Sequence, residues 1–261
     1  MIAMDRELSS QGGAARVLAV FRYLAGSPEG ATLKEITAAL ASPKTSVHRA
    51  VTALRDAGLV SSDLRGQYRY SHDLFKLVFS CYEGIDAVTR IRPVLNELAL
   101  RFGEATHYAV LEGPDVVYLA KVQSQHAGLR ISSVIGGRNP AHCTGLGKVL
   151  LAYALPDEDA VRRYVEEYGP LARRTERTLT GTDELAADLD STRSRQYALD
   201  REESEDGINC VAFPLFFGRS GEPSGAISVT ALARRMSIDT LEDAVPDIRS
   251  IIRGKLGGVL P

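Results

Sequence analysis

Apolar positions swing between helical and strand spacing along this chain. Val17, Leu18, Val20, Phe21 and Leu24 recur at helical spacing and predict an amphipathic helix over 14–24. A loop signal follows at Ser27-Pro-Glu-Gly30. Residues 32–40 predict a short second helix that opens with a capping box, Thr32 to Glu35. Val47, Ala50, Val51 and Leu54 fall at i, i+3, i+4 and i+7, the stripe of a third helix. Ser42 is its expected N-cap, with Pro43 at the first helical position, where no amide hydrogen is needed. Gly58 is the expected C-terminal stop. Strand-like runs at 59–62 and 67–70 flank the turn Asp63-Leu-Arg-Gly66. Two helices across the short Ala41-Ser42 turn, followed by a hairpin, have the spacing of a winged helix-turn-helix.

Residues 73–82 read as a helix too apolar to stand alone in water. It packs either against a second subunit or within its own chain. An amphipathic helix at 92–102 opens a region of different period. Strands are predicted at 105–111, 116–122, 129–134, 197–199, 210–216 and 225–230, with turns at 112–115 and 218–223 and a loop at 136–140. Helices are predicted at 145–154, 157–168, 180–195 (capped by Thr182 or Asp183) and 239–256. Hairpin turns instead of regular strand–helix–strand units imply α+β with an antiparallel sheet. The expected domains are 1–72, a linker helix over 73–90, and 91–261.

Composition narrows the classes. Hydrophobic residues make up 44% of 261, as in globular proteins. Net charge is −2, but residues 1–72 hold nine Lys/Arg against six Asp/Glu. That excess lies within 44–70, five cations against two acids. It suits nucleic-acid binding that is salt-sensitive and needs two copies of the domain. Lys44, Thr45, Ser46, His48 and Arg49 lie toward bases and phosphates on the expected recognition helix, with Arg65 and Arg69 on the wing. Cys81, Cys143 and Cys210 form neither a disulfide framework nor a zinc pattern. No signal peptide or membrane-length apolar run stands in the sequence, which implies a reduced, cytoplasmic setting.

Enzymatic readings fare poorly. Gly145-Leu-Gly-Lys148 lacks the first glycine of a phosphate loop and has Val149 where a magnesium-binding hydroxyl is required. Gly218-Arg-Ser-Gly221 is one residue short of a nucleophile elbow, and His142 beside Cys143 reads as a structural histidine. No catalytic residue, metal or cofactor is expected.

Three segments carry a family resemblance. The first is Arg16-Val-Leu with the winged helix around Pro43-Lys-Thr-Ser-Val-His-Arg49. The second is Pro140-Ala-His-Cys-Thr-Gly-Leu-Gly-Lys-Val-Leu-Leu-Ala152. The third is Asp200-Arg-Glu-Glu-Ser-Glu-Asp-Gly-Ile-Asn-Cys-Val-Ala-Phe-Pro214, continued by Gly225-Ala-Ile-Ser-Val-Thr230. From about residue 16 to 236 the chain resembles the IclR family of bacterial transcription regulators. The resemblance implies a GAF-like effector domain, a homodimer or dimer of dimers on a palindromic operator in double-stranded DNA, and a small organic effector, often a carboxylate or aromatic acid. It assigns effector contacts to Gly128, Ile131, Gly145, Leu146, Asp200, Ile208, Cys210, Ser228 and Thr230. Helix N-terminal amides at Gly145 and Leu146 suit an anion. Ser228 and Thr230, two apart, share a strand face that Cys210 can join. Leu146 stands where the family often has a small residue, and Ala41-Ser42 where Gly-Leu is usual.

Overall fold

The computed structural model describes residues 13–83, 86–124, 133–218 and 221–261. Its chain forms two compact units, Met1–Ile85 and Asp86–Pro261. In the first, α1 (Gly13–Ala25), α2 (Leu33–Ala39) and α3 (Lys44–Asp56) bury Val20, Leu24, Ile36, Val47, Val51 and Leu54 against one another. The predicted apolar stripe of α3 is buried in full. The capping box of α2 closes as expected: the Thr32 amide donates to Glu35 Oε2 at 2.7 Å, and the Glu35 amide to Thr32 Oγ1 at 3.3 Å. Gly58, at φ 72°, ends α3, and the Leu59 amide returns to the Leu54 carbonyl at 2.9 Å. The wing is β2 (Val60–Ser62) and β3 (Gln67–Tyr70). A two-residue strand, β1 (Ala31–Thr32), joins them in the order β1-β3-β2. Two residues are too few to show an alternation, so the sequence did not announce it.

The start of α3 differs from expectation. Pro43, not Ser42, is the N-cap, its carbonyl accepting from the amides of Ser46 (2.9 Å) and Val47 (3.1 Å). Ser42 is buried and its hydroxyl donates to the Leu40 carbonyl at 3.0 Å. The cause is the turn itself. Ala41 takes a left-handed φ of 45°, which reverses the chain and aims Ser42 back beneath α2.

Helix α4 (His72–Glu83) closes the unit. Leu74 is buried, but Phe75, Leu77, Val78 and Phe79 remain 47–60% exposed. Among the described residues, packing within this unit does not cover this apolar face.

The second unit is a six-stranded antiparallel sheet between two helical layers. Helix α5 (Asp86–Phe102) starts six residues before the predicted 92 and carries Pro93 in its interior. The strands are β4 (Ala105–Glu112), β5 (Asp115–Val122), β6 (Arg138–Pro140), β7 (Ala198–Arg201), β8 (Ile208–Leu215) and β9 (Gly225–Leu232), ordered β6-β5-β4-β9-β8-β7. Strand β6 lies in the predicted loop, and its Pro140 is tolerable because β6 is an edge. The predicted strand 129–134 falls largely outside the described residues; Ser133 and Val134 are not in a strand.

Helices α6 (Gly145–Ala154), α7 (Glu158–Tyr168) and α8 (Thr182–Arg195) follow. Gly181, not Thr182 or Asp183, caps α8, its amide donating to Glu184 Oε2 at 3.3 Å. The predicted final helix is two, α9 (Ile238–Asp243) and α10 (Val245–Leu256), divided at Ala244 just ahead of Pro246, which cannot donate a helical hydrogen bond.

Strand alternation explains the layering. One face offers Ala109, Ala198, Ala212 and Ala226, small enough for α6 to lie close. Gly147 brings α6 against the backbone of Ala141, where an added Cβ would stand 2.2 Å from the carbonyl oxygen. The opposite face meets α5, where Thr106 Oγ1 donates to the Leu95 carbonyl at 3.0 Å. Register shifts at Tyr108/Ala109: Tyr108 pairs with Ala120 and Ala109 with Tyr118, which leaves Leu119 as a bulge in β5. The bulge reverses the parity of β5, so Tyr118 and Lys121 share the α6 face.

Candidate functional site

In the first unit the candidate surface is the outer face of α3. Lys44, Thr45, His48 and Arg49 are exposed and Ser46 is partly buried. No acid lies in the first turn and no side chain caps it. Amides there and the positive end of the helix dipole are therefore open to an anion. Among the described residues, Lys44, Arg49 and Arg65 take part in no ion pair, whereas Arg69 lies 3.2 Å from Asp63 Oδ2. Asp63 also accepts from the amides of Arg65 (2.9 Å) and Gln67 (3.0 Å), and the Gln67 bond above all holds its carboxyl below the usual range. Asp63 and Arg69 thus brace the wing, and Arg65 stands at its turn beside a fully exposed Leu64.

In the second unit the α6 face of the sheet turns from alanine to polar residues at the α6 N-terminus. A cavity of about 30 Å³ lies there. Of the nine sequence-predicted contacts, seven line it: Gly145, Leu146, Asp200, Ile208, Cys210, Ser228 and Thr230. Gly128 and Ile131 lie outside the described residues. Register brings the strand members together: Asp200 opposite Cys210, Cys210 opposite Thr230, and Ser228 opposite His107. Thr144 caps α6, its Oγ1 accepting from the Gly147 amide at 3.0 Å, while Gly145 and Leu146 face the cavity. A Cβ at 145 would stand 3.1 Å from Cys210 Sγ, so the sulfur would have to give way by a few tenths of an ångström.

Asp200 is 2% exposed. Its Oδ1 accepts from the Glu203 amide at 2.7 Å and its Oδ2 from Ser204 Oγ at 2.6 Å. Burial, then the charge of Glu203, raises its carboxyl to about 7. Behind it Lys148, 1% exposed, reaches Glu203 at 2.6 and 2.7 Å and Asp188 at 3.1 Å. The lysine of the phosphate-loop look-alike thus points into the protein and ties α6 to the 200–205 turn.

Sequence reasoning missed His107, Tyr118, Asn139, Arg174 and Ser204, which also line the cavity. His107 lies within a predicted strand, with no role predicted for it there. Its partners are Ser133 Oγ (2.9 Å from Nε2), Thr230 Oγ1 (3.4 Å from Nδ1) and Ser228 Oγ (3.5 Å from Nδ1). Burial, helped by the charge of Lys121, drives its ring down to about 3, so it is neutral. Burial pushes the Cys143 and Cys210 thiols up to about 12, which makes them unreactive. His142 Nε2 lies 3.1 Å from the Ala172 carbonyl, a structural contact. The arrangement can bind a small polar molecule.

The sequence model for the IclR helix-turn-helix domain matches residues 13–64, and that for the bacterial transcriptional regulator IclR C-terminal matches 80–253. The chain belongs to the IclR family of bacterial transcription regulators. It is 30% identical over 253 residues to the HTH-type transcriptional regulator KdgR of Escherichia coli K12, covering 96% of this chain and 93% of that one. It resembles a transcriptional regulator structure from Rhodococcus sp. RHA1 at 28% identity and TM-score 0.77, covering 92% and 94% of the two chains. It also shares its fold with an IclR homologue of Microbacterium hydrocarbonoxydans, solved with 4-hydroxybenzoate, at 24% identity and TM-score 0.71, covering 93% and 100%. IclR regulators are not enzymes, and this chain is a transcription regulator with a DNA-binding helix-turn-helix. Among the described residues, no helix is long and apolar enough to cross a membrane.

Proposed function

We propose that the chain is a repressor whose grip on a palindromic operator is altered by a small organic acid. The observation that carries this is the cavity at the α6 N-terminus, whose Asp200, Cys210, Ser228 and Thr230 converge on open helix amides. The Microbacterium fold neighbour was solved with 4-hydroxybenzoate, an organic acid, which supports an acid as the effector. Helix α3 enters the major groove with Lys44, Thr45, Ser46, His48 and Arg49, and the wing lays Arg65 on the backbone. Arg69 also reaches phosphate if it exchanges Asp63 for it. Phe75, Leu77, Val78 and Phe79 of α4 pack against a second copy, which sets two α3 helices one or two DNA turns apart. The effector shifts DNA affinity only by its preference between two arrangements of that dimer, typically ~1–3 kcal/mol.

Binding to the DNA upstream of its own gene, followed by fluorescence anisotropy, tests the DNA half. A Lys44→Ala/Arg49→Ala double variant should lose about 100-fold or more in affinity with its melting temperature unchanged, at roughly 1–3 kcal/mol per contact. Retained affinity would sink the assignment. Effector-dependent release should vanish in Ser228→Ala/Asp200→Ala, and an unchanged response would move the pocket elsewhere.

A further inference from the structure

Resting on the pocket reading above, we propose that His107 and the hydroxyls beside it form a hydroxyl-reading floor, so that the effector is a short hydroxy acid and not an aromatic one. The floor can be counted atom by atom. A neutral imidazole offers one donor and one acceptor. Its Nε2 is engaged by Ser133 Oγ at 2.9 Å. Its Nδ1 faces two hydroxyls at once, Thr230 Oγ1 at 3.4 Å and Ser228 Oγ at 3.5 Å, and these lie 3.4 Å from each other. The Cys210 thiol is a further hydrogen-bond partner of both hydroxyls. One ring nitrogen and one weak thiol donor still do not use the full capacity of two hydroxyls, and all three separations are at the long limit for a hydrogen bond. All three residues are at least 94% buried, so bulk water does not complete them. The free hydrogen-bonding capacity opens into the cavity that the same three residues line.

A ligand hydroxyl, both donor and acceptor, matches this floor in either histidine tautomer. An aromatic ring or a methyl group laid on it strands those polar atoms, and sites built to bond a hydroxyl reject analogues lacking one strongly. The acid end is placed independently. Gly145 and Leu146 bring the start of α6 to the cavity, and Arg174 stands among the lining residues with no ion pair among the described residues. Asp200, near neutrality in charge, can donate to the same acid end when protonated.

The test titrates the full-length protein with glycolate, L-lactate, D-lactate, D-glycerate, propionate and 4-hydroxybenzoate, by calorimetry and by release from operator DNA. At least one hydroxy acid should bind tenfold or more tighter than propionate and 4-hydroxybenzoate. In a Ser228→Ala/Thr230→Val variant that ratio should fall to near one. Equal or tighter binding of propionate or 4-hydroxybenzoate overturns the hydroxy-acid assignment and leaves the acid pocket standing. A ratio that survives the double variant overturns the floor. If none of the six binds, the acid-pocket reading falls, and this inference with it.

Discussion

Helices α3 and α6 both direct an N-terminus at the place where an anion is expected, yet they are built differently. Helix α3 buries one stripe, Val47, Ala50, Val51 and Leu54, and leaves its other faces to water. In α6, Gly145 through Ala152 are all buried, between the sheet on one side and α8 on the other. Helix α3 begins at an uncapped proline after a strained alanine; α6 begins at a threonine cap and touches backbone through Gly147. A face that meets a partner as large as DNA needs only exposed charge on a stable support. A cavity that discriminates among small molecules needs walls that do not give, and close packing provides them.

The sharpest break in this comparison is Gly147→Ala. Its methyl would lie 2.2 Å from a backbone oxygen, so the second unit should fail to fold, read as loss of its cooperative melt. Thr45→Ala on the exposed face of α3 should stay within about 0.5 kcal/mol of wild type in the same measurement. Next comes Lys148→Met, which leaves Glu203 without its cation and Asp188 with only Arg195 at 3.8 Å; urea unfolding should show a loss of roughly 3–5 kcal/mol. Adding Glu203→Gln should restore part of it.

Asp200 gives a pH signature that α3 lacks. Its folded carboxyl sits at about 7 against an ordinary 3.8, so between those values the folded state holds a proton that the unfolded state has released. Stability should therefore fall as pH rises through that window and level off above it. Affinity for an anionic effector should be flat below pH 7 and weaken by up to about tenfold per unit above it, as Asp200 ionises. Asp200→Asn keeps an acceptor for the Glu203 amide and should flatten both profiles. A smaller effect than these is expected at Ala41→Gly, where relief of the left-handed φ should stabilise the first unit by about 1 kcal/mol in thermal melts.

Legibility in the sequence followed the range of the interactions. The α3 stripe, the Thr32–Glu35 box and the Gly58 stop are set by residues a few positions apart, and all three were readable. Ser42 misled because its local capping chemistry was outweighed by the turn geometry of Ala41. The break before Pro246 was readable from proline alone, yet the predicted helix over 239–256 runs through it. In the pocket, Gly145 to Thr230 came from a family pattern, not from local physics. His107 stayed hidden because its meaning lies in partners 26, 121 and 123 residues away. Tyr118 stayed hidden because strand parity, counted along an unbroken β5, puts it on the other face from Lys121.

That last point reaches into how the chain can change. The bulge at Leu119 makes β5 one residue longer than its paired span on β4. Deleting Leu119 would remove no pocket residue and no buried charge. It would nevertheless exchange the two faces of one end of β5, withdrawing either the Tyr118 ring or Lys121 from the α6 face. Insertions and deletions in β5 therefore act as a specificity variable in their own right: a single residue gained or lost rewrites a cavity wall that no substitution at Leu119 would touch.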